Sequence, residues 1–419
     1  MSIQEALKFV KNTHPLLNSH IQILEGELVF ISTLKDCRRS IPLEILIDDT
    51  IDCEALMDTK FDCLEGDFLR VIISMNSGDH KQKEAEGDEP SSKETFFELV
   101  TVIYHGICDA ISVRELHHQI IMEIAAVMNE PSRNIISDVL KIGPTPLPIT
   151  AELLVKKALD ERQAKTDFQV DGKLSTTPSP PRQPLEQAPL SWSKDCTPDD
   201  AVRCSRAIKR KFSAKKTRKM LDACKKNGTT MHGLISAAAL IATSECGKAA
   251  KRVLCSAVDL RRRVQLKKSE LVYAVGGFDG SAAFEYDIDA DIDIWELARQ
   301  VRSDIIDSVD SGRLFTTYLE SIEGLLSAYK AGYLEGGTFG TIFLSNIGNE
   351  NYKKSAGPMR WREFEYIYGQ FLPGGPHYHI TSNTFDGCLF LNCLYVNEVI
   401  PEDTAQAFFN TVYLLCCHV

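Results

Sequence analysis

The sequence lacks any apolar run of the roughly 18 residues that a membrane-spanning helix requires, although 44% of its residues are hydrophobic. Its first residues, MSIQEALKFVKNTHP, also lack the apolar core and small-residue cleavage site of a secretory signal. We therefore expect a cytoplasmic protein without a membrane span. The charged fraction of 25% is typical of globular proteins.

Positive charge is in short supply. The chain has 47 lysines and arginines against 58 aspartates and glutamates, which gives a formal net charge of −11. A nucleic-acid-binding protein is expected to present a basic surface, so this balance argues against nucleic acid as a partner.

Paired cysteine motifs are absent as well. The chain has 13 cysteines, an odd number, and no two of them form a Cys-x-x-Cys pair. This pattern argues against a zinc site and against a disulfide framework, so we expect most cysteines to be small buried residues in a reducing compartment. His377 and His379 alternate on a predicted strand and share a face, but no third metal ligand accompanies them. No metal is expected.

The length of the chain and a proline- and serine-rich stretch near its middle predict two domains. At 419 residues the chain exceeds what one ordinary hydrophobic core supports. Residues 166–198 are rich in proline and serine and show no periodicity, so they are the predicted linker between domain 1–165 and domain 199–419. Both domains mix strand-like and helix-like segments, which indicates an α/β fold. A second polar stretch, 77–94, is predicted to be an exposed loop.

The stretch HGICDAIS, residues 105–112, follows an apolar run predicted to be a buried strand. The residues after it have helical apolar spacing, and Ser112 and Glu115 form a predicted capping box at the helix start. At such a corner, a neutral imidazole of His105 can take a proton from a hydroxyl or amine near pH 7; an ordinary polar corner is the alternative. Asp109 could point away from the same cavity, and if buried it would need a cationic partner.

Several stretches, in the same order along nearly the whole chain, resemble the CoA-dependent acyltransferase superfamily. They are THPLLNSHI, HGICDAIS, GPTPLP, TTMHGLISAAALIA, SAVDLRRRV, FGTIFLSNIG and NTFDGCLFLNCLYV. The superfamily includes plant BAHD acyltransferases, peptide condensation domains, chloramphenicol acetyltransferase and alcohol acetyltransferases. The sequence looks most like the phthiocerol/phthiodiolone dimycocerosyl transferase type. The resemblance implies two chloramphenicol-acetyltransferase-like halves, each with a mixed sheet covered by helices, and a channel between them.

The resemblance also implies roles for individual residues. His105 would be the general base for an alcohol or amine acceptor, which attacks an acyl thioester of CoA or of an acyl carrier protein directly. Asp109 would be structural and pair with Arg261, with Arg263 as the alternative. No bound cofactor is implied, and a monomer would suffice because one chain supplies both channel walls. The implied channel candidates are Ser345, Asn346, His377 and His379.

The sequence departs from the superfamily at three places. Ala110 stands where most members have glycine, and it would be strained if that position requires a positive φ, or tolerated if glycine only avoids crowding. The plant-type DFGWG motif is absent, and the usual first strand is missing. Two further hypotheses therefore remain: a non-catalytic protein that binds acyl groups or carriers, and a condensation-type module that works within a larger synthase. The basic run 209–219 is most often a solvated face, or it attracts CoA phosphates or an acidic carrier.

Overall fold

In the computed structural model, the chain divides into two compact units assembled from interleaved segments. Unit 1 comprises Met1–Ile149, Lys267–Gly277 and Ser355–Arg360, and unit 2 comprises Thr150–Leu266, Phe278–Lys354 and Trp361–Val419. The structure describes residues 3–419 except 26, 34–37, 76–95, 130–148, 166–204, 245–249, 265–274, 290, 331–339, 351–354, 357–358, 370–375 and 398. The predicted linker and the predicted loop 77–94 lie outside the described residues, and the predicted domain boundaries stay predictions.

Unit 1 combines small sheets with helices. Its helices are α1 (Ile3–Thr13), α2 (Cys53–Met57) and α3 (Ala110–Asn129), and its strands are β1 (His20–Leu24), β2 (Glu27–Ile31), β3 (Leu43–Ile47), β4 (Leu69–Met75), β5 (Phe97–Ile103), β10 (Ser355–Ala356) and β11 (Met359–Arg360). Strand β4 lies between β3, to which it is parallel, and β5, to which it is antiparallel. Two antiparallel pairs, β1 with β2 and β10 with β11, complete its described sheets.

Helices α1 and α3 pack against each other, and their buried positions follow helical spacing. The buried residues are Ala6, Leu7, Phe9 and Val10 on α1, and Leu116, Ile120, Ile124 and Val127 on α3. The helix predicted after residues 105–112 is therefore confirmed, and the helix-like segment IQEALKFVKN forms α1. Strand β4 is mostly buried, whereas β5 is half-buried or exposed along its length, so the buried strand of this sheet is not the one that the sequence predicts.

Unit 2 is built around a six-stranded mixed sheet in the order β6-β13-β12-β9-β7-β8. Its strands are β6 (Ser205–Phe212), β7 (Ala250–Asp259), β8 (Asp279–Ile288), β9 (Ile342–Asn349), β12 (Tyr378–Phe385) and β13 (Cys388–Val396). Its helices are α4 (Ala151–Lys165), α5 (Ala214–Lys226), α6 (Met231–Ala242), α7 (Ile294–Asp310), α8 (Arg313–Lys330) and α9 (Glu402–Cys417). None of the described helices is both long and apolar enough to cross a membrane.

Helix α6 is the centre of the unit 2 core. Every residue from Leu234 to Leu240 is buried, and the helix packs against α7, α9 and the strands β7 and β9. A Cβ added at Gly233 would lie 2.6 Å from the carbonyl oxygen of Ala298 on α7. Glycine is therefore required where these two helices approach each other.

The sequence predicts a hairpin turn at Asp386 and Gly387 and a helix end at Gly228, and the structure confirms both. Asp386 and Gly387 connect β12 to β13 with φ angles of 50° and 75°, as expected for a two-residue hairpin turn. Gly228 follows the end of α5 with a φ of 68°, the left-handed conformation that commonly ends helices.

The two faces of the unit 2 sheet contact different parts of the unit. Ile380, Leu391 and Cys393 belong to the helix-covered hydrophobic core. The other face carries polar side chains that hold an irregular segment, residues 361–369, through its carbonyl oxygens. Thr381 and Asn392 both donate to the carbonyl of Tyr366 (2.9 and 3.0 Å), and Asn383 donates to that of Phe364 (2.8 Å). The sequence of FEYIYGQFL predicts a strand. This prediction is wrong for its described residues 364–369, which form no regular structure.

The shared carbonyl of Tyr366 gives a test of this attachment. Thr381→Val and Asn392→Leu each leave one donor on the oxygen, so each should lower the free energy of unfolding by about 1 kcal/mol. The double variant leaves a buried oxygen unsatisfied and should lose about 1–3 kcal/mol beyond the sum. Urea unfolding measures all three variants, and strict additivity would contradict the shared attachment.

Candidate active site

His105 lies at the end of β5, where the chain leaves the sheet. The amide of Tyr104 donates to the carbonyl of Phe68 (2.9 Å) and is the last backbone link to the sheet before His105. His105 is the first residue of a one-turn 3-10 helix, His105–Ile107, and its carbonyl accepts from the amide of Cys108 (3.2 Å). The His105 side chain is exposed, whereas the three residues from Ile107 to Asp109 are buried.

An aromatic stack fixes the first side of this corner. The Tyr104 ring stacks on Phe68 with 5.9 Å between centroids, and Phe61 lies 6.0 Å away at a tilt. A Cβ at Gly106 would lie 2.4 Å from the ring atom Cε1 of Tyr104. Glycine at this position therefore lets the Tyr104 ring lie against the turn that carries His105.

Asp109 caps the helix that follows. Its carboxylate accepts from the amide of Ser112 (2.8 Å), and its carbonyl accepts from the amide of Val113 (2.9 Å). Helix α3 therefore begins at Ala110, and Asp109 is its N-cap. The capping box predicted for Ser112 and Glu115 is wrong, because Ser112 already lies in the first turn and its side chain has another partner.

That partner is Gly276, from a distant part of the sequence. The hydroxyl of Ser112 donates to the carbonyl of Gly276 (2.8 Å) and accepts from its amide (3.0 Å), and the amide of Asp109 donates to the same carbonyl (3.1 Å). All three residues are buried. Sequence reasoning missed Gly276, because no local pattern in the sequence indicates a long-range backbone contact.

Ala110 is unstrained. It is the first residue of α3, and it is not among the non-glycine residues of the described chain with positive φ, which are Glu25, Asp48 and Asp386. Of the two expectations for this position, the structure supports the one in which alanine is tolerated.

Arg261 follows the end of β7 in unit 2. The residue is 5% exposed, its Nη1 lies 3.4 Å from Oδ1 of Asp259, and its guanidinium lies 4.6 Å from the centroid of Phe278. Arg263 is exposed. Asp109 and Arg261 belong to different units, and their pairing stays a prediction.

Of the four residues predicted to line a channel, only Ser345 and His379 are joined by a hydrogen bond in the described part of the chain. Nε2 of His379 lies 3.2 Å from the Ser345 hydroxyl and 3.0 Å from the hydroxyl of Tyr368, a residue that sequence reasoning missed. Asn346 points to the opposite face of β9 from Ser345, and its side chain accepts from the amide of Gly348 (3.0 Å). His377 is buried, and its pKa is lowered to about 4 by burial and by the positive charge of Arg252.

The structure shows no metal-binding cluster in its described part: no group of three or more histidine, cysteine, aspartate or glutamate side chains could hold an ion. None of the cysteines in these residues forms a disulfide. Cys108, Cys224, Cys255, Cys393 and Cys416 are buried, as expected for small apolar residues.

The fold is that of the chloramphenicol-acetyltransferase-like proteins, as solved structures over almost the whole chain demonstrate. A trichothecene 15-O-acetyltransferase from Fusarium sporotrichioides superposes with a TM-score of 0.67 at 12% identity, covering 99% of this chain and 85% of that one. Polyketide synthase associated protein 5 from Mycobacterium tuberculosis gives 0.59 at 13% identity, with 99% and 89% covered. The condensation domain of the monacolin K polyketide synthase MokA gives 0.61 at 13% identity, with 99% and 88% covered.

A match to a protein-family model adds sequence evidence to this likeness in fold. Residues 203–350 match the family described as the C-terminus of phthiocerol/phthiodiolone dimycocerosyl transferase. Among curated proteins, no sequence match is found. The predicted resemblance to the CoA-dependent acyltransferase superfamily is therefore confirmed, by this match in the C-terminal part and by fold along the chain.

A buried histidine beside the corner gives a pH-dependent prediction. Nδ1 of His117 on α3 lies 2.9 Å from the Thr101 hydroxyl on β5, and burial, with a smaller effect of His118, lowers the pKa of His117 from 6.5 to about 4. Below pH 6.5 the unfolded chain takes up a proton that the folded protein takes up only near pH 4. The free energy of unfolding should therefore fall as the pH drops through this window, by at most about 3 kcal/mol for this residue.

Thermal melts of wild type and of His117→Asn at pH 7 and pH 5 measure this effect. We expect a smaller loss of Tm on acidification in the variant. The exposed His418→Asn serves as the control and should lose as much as wild type. Equal losses in all three proteins would show that His117 is not responsible.

Proposed function

We propose that this protein is an acyltransferase that moves an acyl group from a thioester to a hydroxyl or amine, with His105 as the general base. The observation that carries the proposal is the exposed imidazole of His105 at a rigid strand-to-helix corner. The acyltransferase fold and the family match over residues 203–350 support the class of reaction. No metal or bound cofactor takes part in the proposed reaction.

The proposed reaction is a direct transfer. The neutral imidazole of His105 accepts the proton of the acceptor hydroxyl or amine as the acceptor atom bonds to the thioester carbonyl carbon. The carbon–sulfur bond then breaks, and the proton passes from the imidazolium to the departing thiolate. The products are the ester or amide and the free thiol, and no acyl-enzyme forms.

The structure around His105 suits this role. The Tyr104 stack before the turn and the Asp109 cap after it restrict the backbone on both sides. A base whose backbone is restricted in this way loses little conformational entropy when it aligns with its substrate. His105 itself contributes little to the buried core, because its side chain is exposed.

The first prediction of this proposal concerns His105. His105→Ala should lower kcat by about a hundredfold or more, the usual effect of losing a general base, and should leave Tm unchanged because the side chain is exposed. Thiol release from acyl-CoAs of increasing chain length, with alcohol and amine acceptors, measures the activity. The matched control is His418→Ala, which removes an exposed imidazole at the end of α9 and should have full activity. Undiminished turnover in His105→Ala would refute the proposed mechanism.

Asp109 is proposed to have a structural role with two parts, a helix cap and an ion pair with Arg261. Both residues are nearly inaccessible, at 2% and 5% exposure, and the buried charge of Asp109 needs a cationic partner. Arg261 also has the half-buried Asp259 beside it, at 3.4 Å. Asp109→Asn preserves the cap but removes the charge, whereas Asp109→Ala removes both.

If the pair exists, Asp109→Asn and Arg261→Ala should each lower the free energy of unfolding by about 3–5 kcal/mol, and the double variant should lose much less than the sum. Asp109→Ala should lose about 1 kcal/mol more than Asp109→Asn, the usual contribution of an N-cap. Urea unfolding measures each variant. An Asp109→Asn variant as stable as wild type would leave the cap as the role of Asp109 and remove Arg261 from the assignment.

A condensation-type module that receives its acyl group from a carrier protein of a larger synthase is the second candidate. The observation that favours it is the likeness in fold to condensation domains, including those of MokA and of the enacyloxin polyketide synthase. Parallel assays with the same acyl group on CoA and on a carrier protein distinguish the two donors. Transfer from neither donor by wild type would favour a non-catalytic binding protein.

A further inference from the structure

Strand β3 of unit 1 is an edge strand, because among the described strands it pairs with β4 alone. The carbonyl of Pro42 accepts from the amide of Val71, and the amide of Asp48 donates to the carbonyl of Met75, both at 2.9 Å. Successive residues of a strand direct their backbone groups to opposite sides. The even-numbered residues of β3 therefore bond to β4, and the odd-numbered residues direct their amides and carbonyls away from the sheet.

The residues that face outward along this edge are apolar. They are Leu43, Ile45 and Ile47, and their side chains share one face of the sheet because they are two residues apart. Ile45 is 46% exposed and Ile47 is 66% exposed. The register places Ile47 beside Met75 and Met75 beside Phe97, which is 42% exposed. The exposed apolar surface therefore extends across this end of the sheet.

The strand itself carries little that would prevent further pairing. Natural edge strands usually discourage association with lysines, prolines or bulges. Between Leu43 and Ile47 the one charged residue is Glu44, and its side chain lies on the opposite face from the isoleucines. An open edge of this kind can accept the strand of another chain.

We propose that the edge of β3 is a homodimer interface, at which β3 of a second copy of this chain adds in antiparallel orientation across a two-fold axis at Ile45. In this register Ile45 lies opposite its counterpart, and Leu43 of each copy lies opposite Ile47 of the other. All of these residues direct their backbone groups outward, so their amides and carbonyls meet as hydrogen-bonded pairs. The surface is self-complementary, as a two-fold interface requires.

The charge of Glu44 selects this register among its neighbours. The outward-facing groups are satisfied only where odd-numbered residues lie opposite odd-numbered residues. An axis at Glu44 would place this carboxylate opposite its own counterpart, and an axis at Leu46 would place it opposite Asp48. Like charges directly opposite each other are destabilising. With the axis at Ile45, Glu44 lies opposite Leu46, which is uncharged.

Charges beyond the two ends of the strand support the antiparallel orientation. The exposed Arg38 precedes β3, and the exposed Asp48 and Asp49 follow it. Antiparallel pairing brings the beginning of one strand beside the end of the other, so the arginine of each copy approaches the aspartates of its partner. A parallel arrangement would bring the aspartates together. Complementary charges at both ends favour the first arrangement.

The contact is small and separate from the proposed active site. A strand of five residues is about 16 Å long, so the interface is at the low end of the range for specific complexes and the dimer is weak. It lies entirely in unit 1 and uses none of the residues assigned to the proposed reaction. A single chain therefore remains sufficient for acyl transfer.

Sedimentation of the full chain over increasing concentration tests the proposal. Ile45→Lys and Ile45→Glu each place two like charges opposite each other at the axis, so each should weaken the dimer at least about tenfold. An equimolar mixture of the two variants, one of them carrying a fluorophore, brings opposite charges together and should restore the dimer. Ile23→Lys is the matched control, because Ile23 is a 63% exposed isoleucine on β1, and it should dimerise as wild type does.

Thermal melts check that the variants are folded, and Ile47→Lys repeats the test at a more exposed position of the same edge. Wild type that stays monomeric throughout would overturn the proposal, and so would a dimer that is unchanged in both Ile45→Lys and Ile47→Lys. A mixture that is no more dimeric than its separate components would refute the axis at Ile45. Equal loss of the dimer in Ile23→Lys would place the interface on another surface.

Discussion

Three hydrogen bonds join Gly276 to the residues that follow His105. They satisfy buried polar groups at the beginning of α3, where the first amides of a helix have no partner within the helix. In a buried, low-dielectric environment, leaving such a group without a hydrogen bond destabilises the fold. Because Asp109 takes part and also caps α3, the turn that carries His105 is fixed by β5 on one side and by α3 on the other. The backbone position of His105 thus depends on buried polar contacts of the residues that follow it.

The sheet of unit 2 shows how buried polar residues can have a structural role. On the core face, Ile380 and Leu391 meet apolar helices. On the opposite face, Thr381, Asn383 and Asn392 satisfy carbonyl oxygens of the segment 361–369, which has no ladder of its own. Buried backbone groups need such partners. Thr381, Asn383 and Asn392 are therefore polar because they bind a covering segment, although polar residues in a strand also occur where a face is exposed to water.

Local sequence patterns predicted the structure correctly where the conformation depends on the backbone preferences and packing of neighbouring residues. Gly228 and the turn at Asp386 and Gly387 require backbone conformations that few residues adopt, and the apolar spacing of α3 has one stable interpretation. Predictions from local patterns were wrong where one pattern is compatible with several structures. Ser112 has the spacing of a capping residue but bonds to Gly276, and the sequence of FEYIYGQFL suits a strand as well as the covering segment that its described residues form. The superfamily resemblance was predicted from motif order, which is independent of these local ambiguities. His105 was singled out by its strand-to-helix corner, and the resemblance added its proposed role as a base.

The bond between Ser112 and Gly276 spans 164 positions of the sequence. During synthesis, β5, α3 and the turn of His105 leave the ribosome long before Gly276 does. Local contacts form within that time, but the loop that brings Gly276 back can close only after the intervening chain has emerged. The corner is thus completed late in folding. Until then, the N-terminal part of the chain carries a histidine whose final setting has not yet been synthesised, and a break in the chain before Gly276 would separate the turn from the residue that completes it.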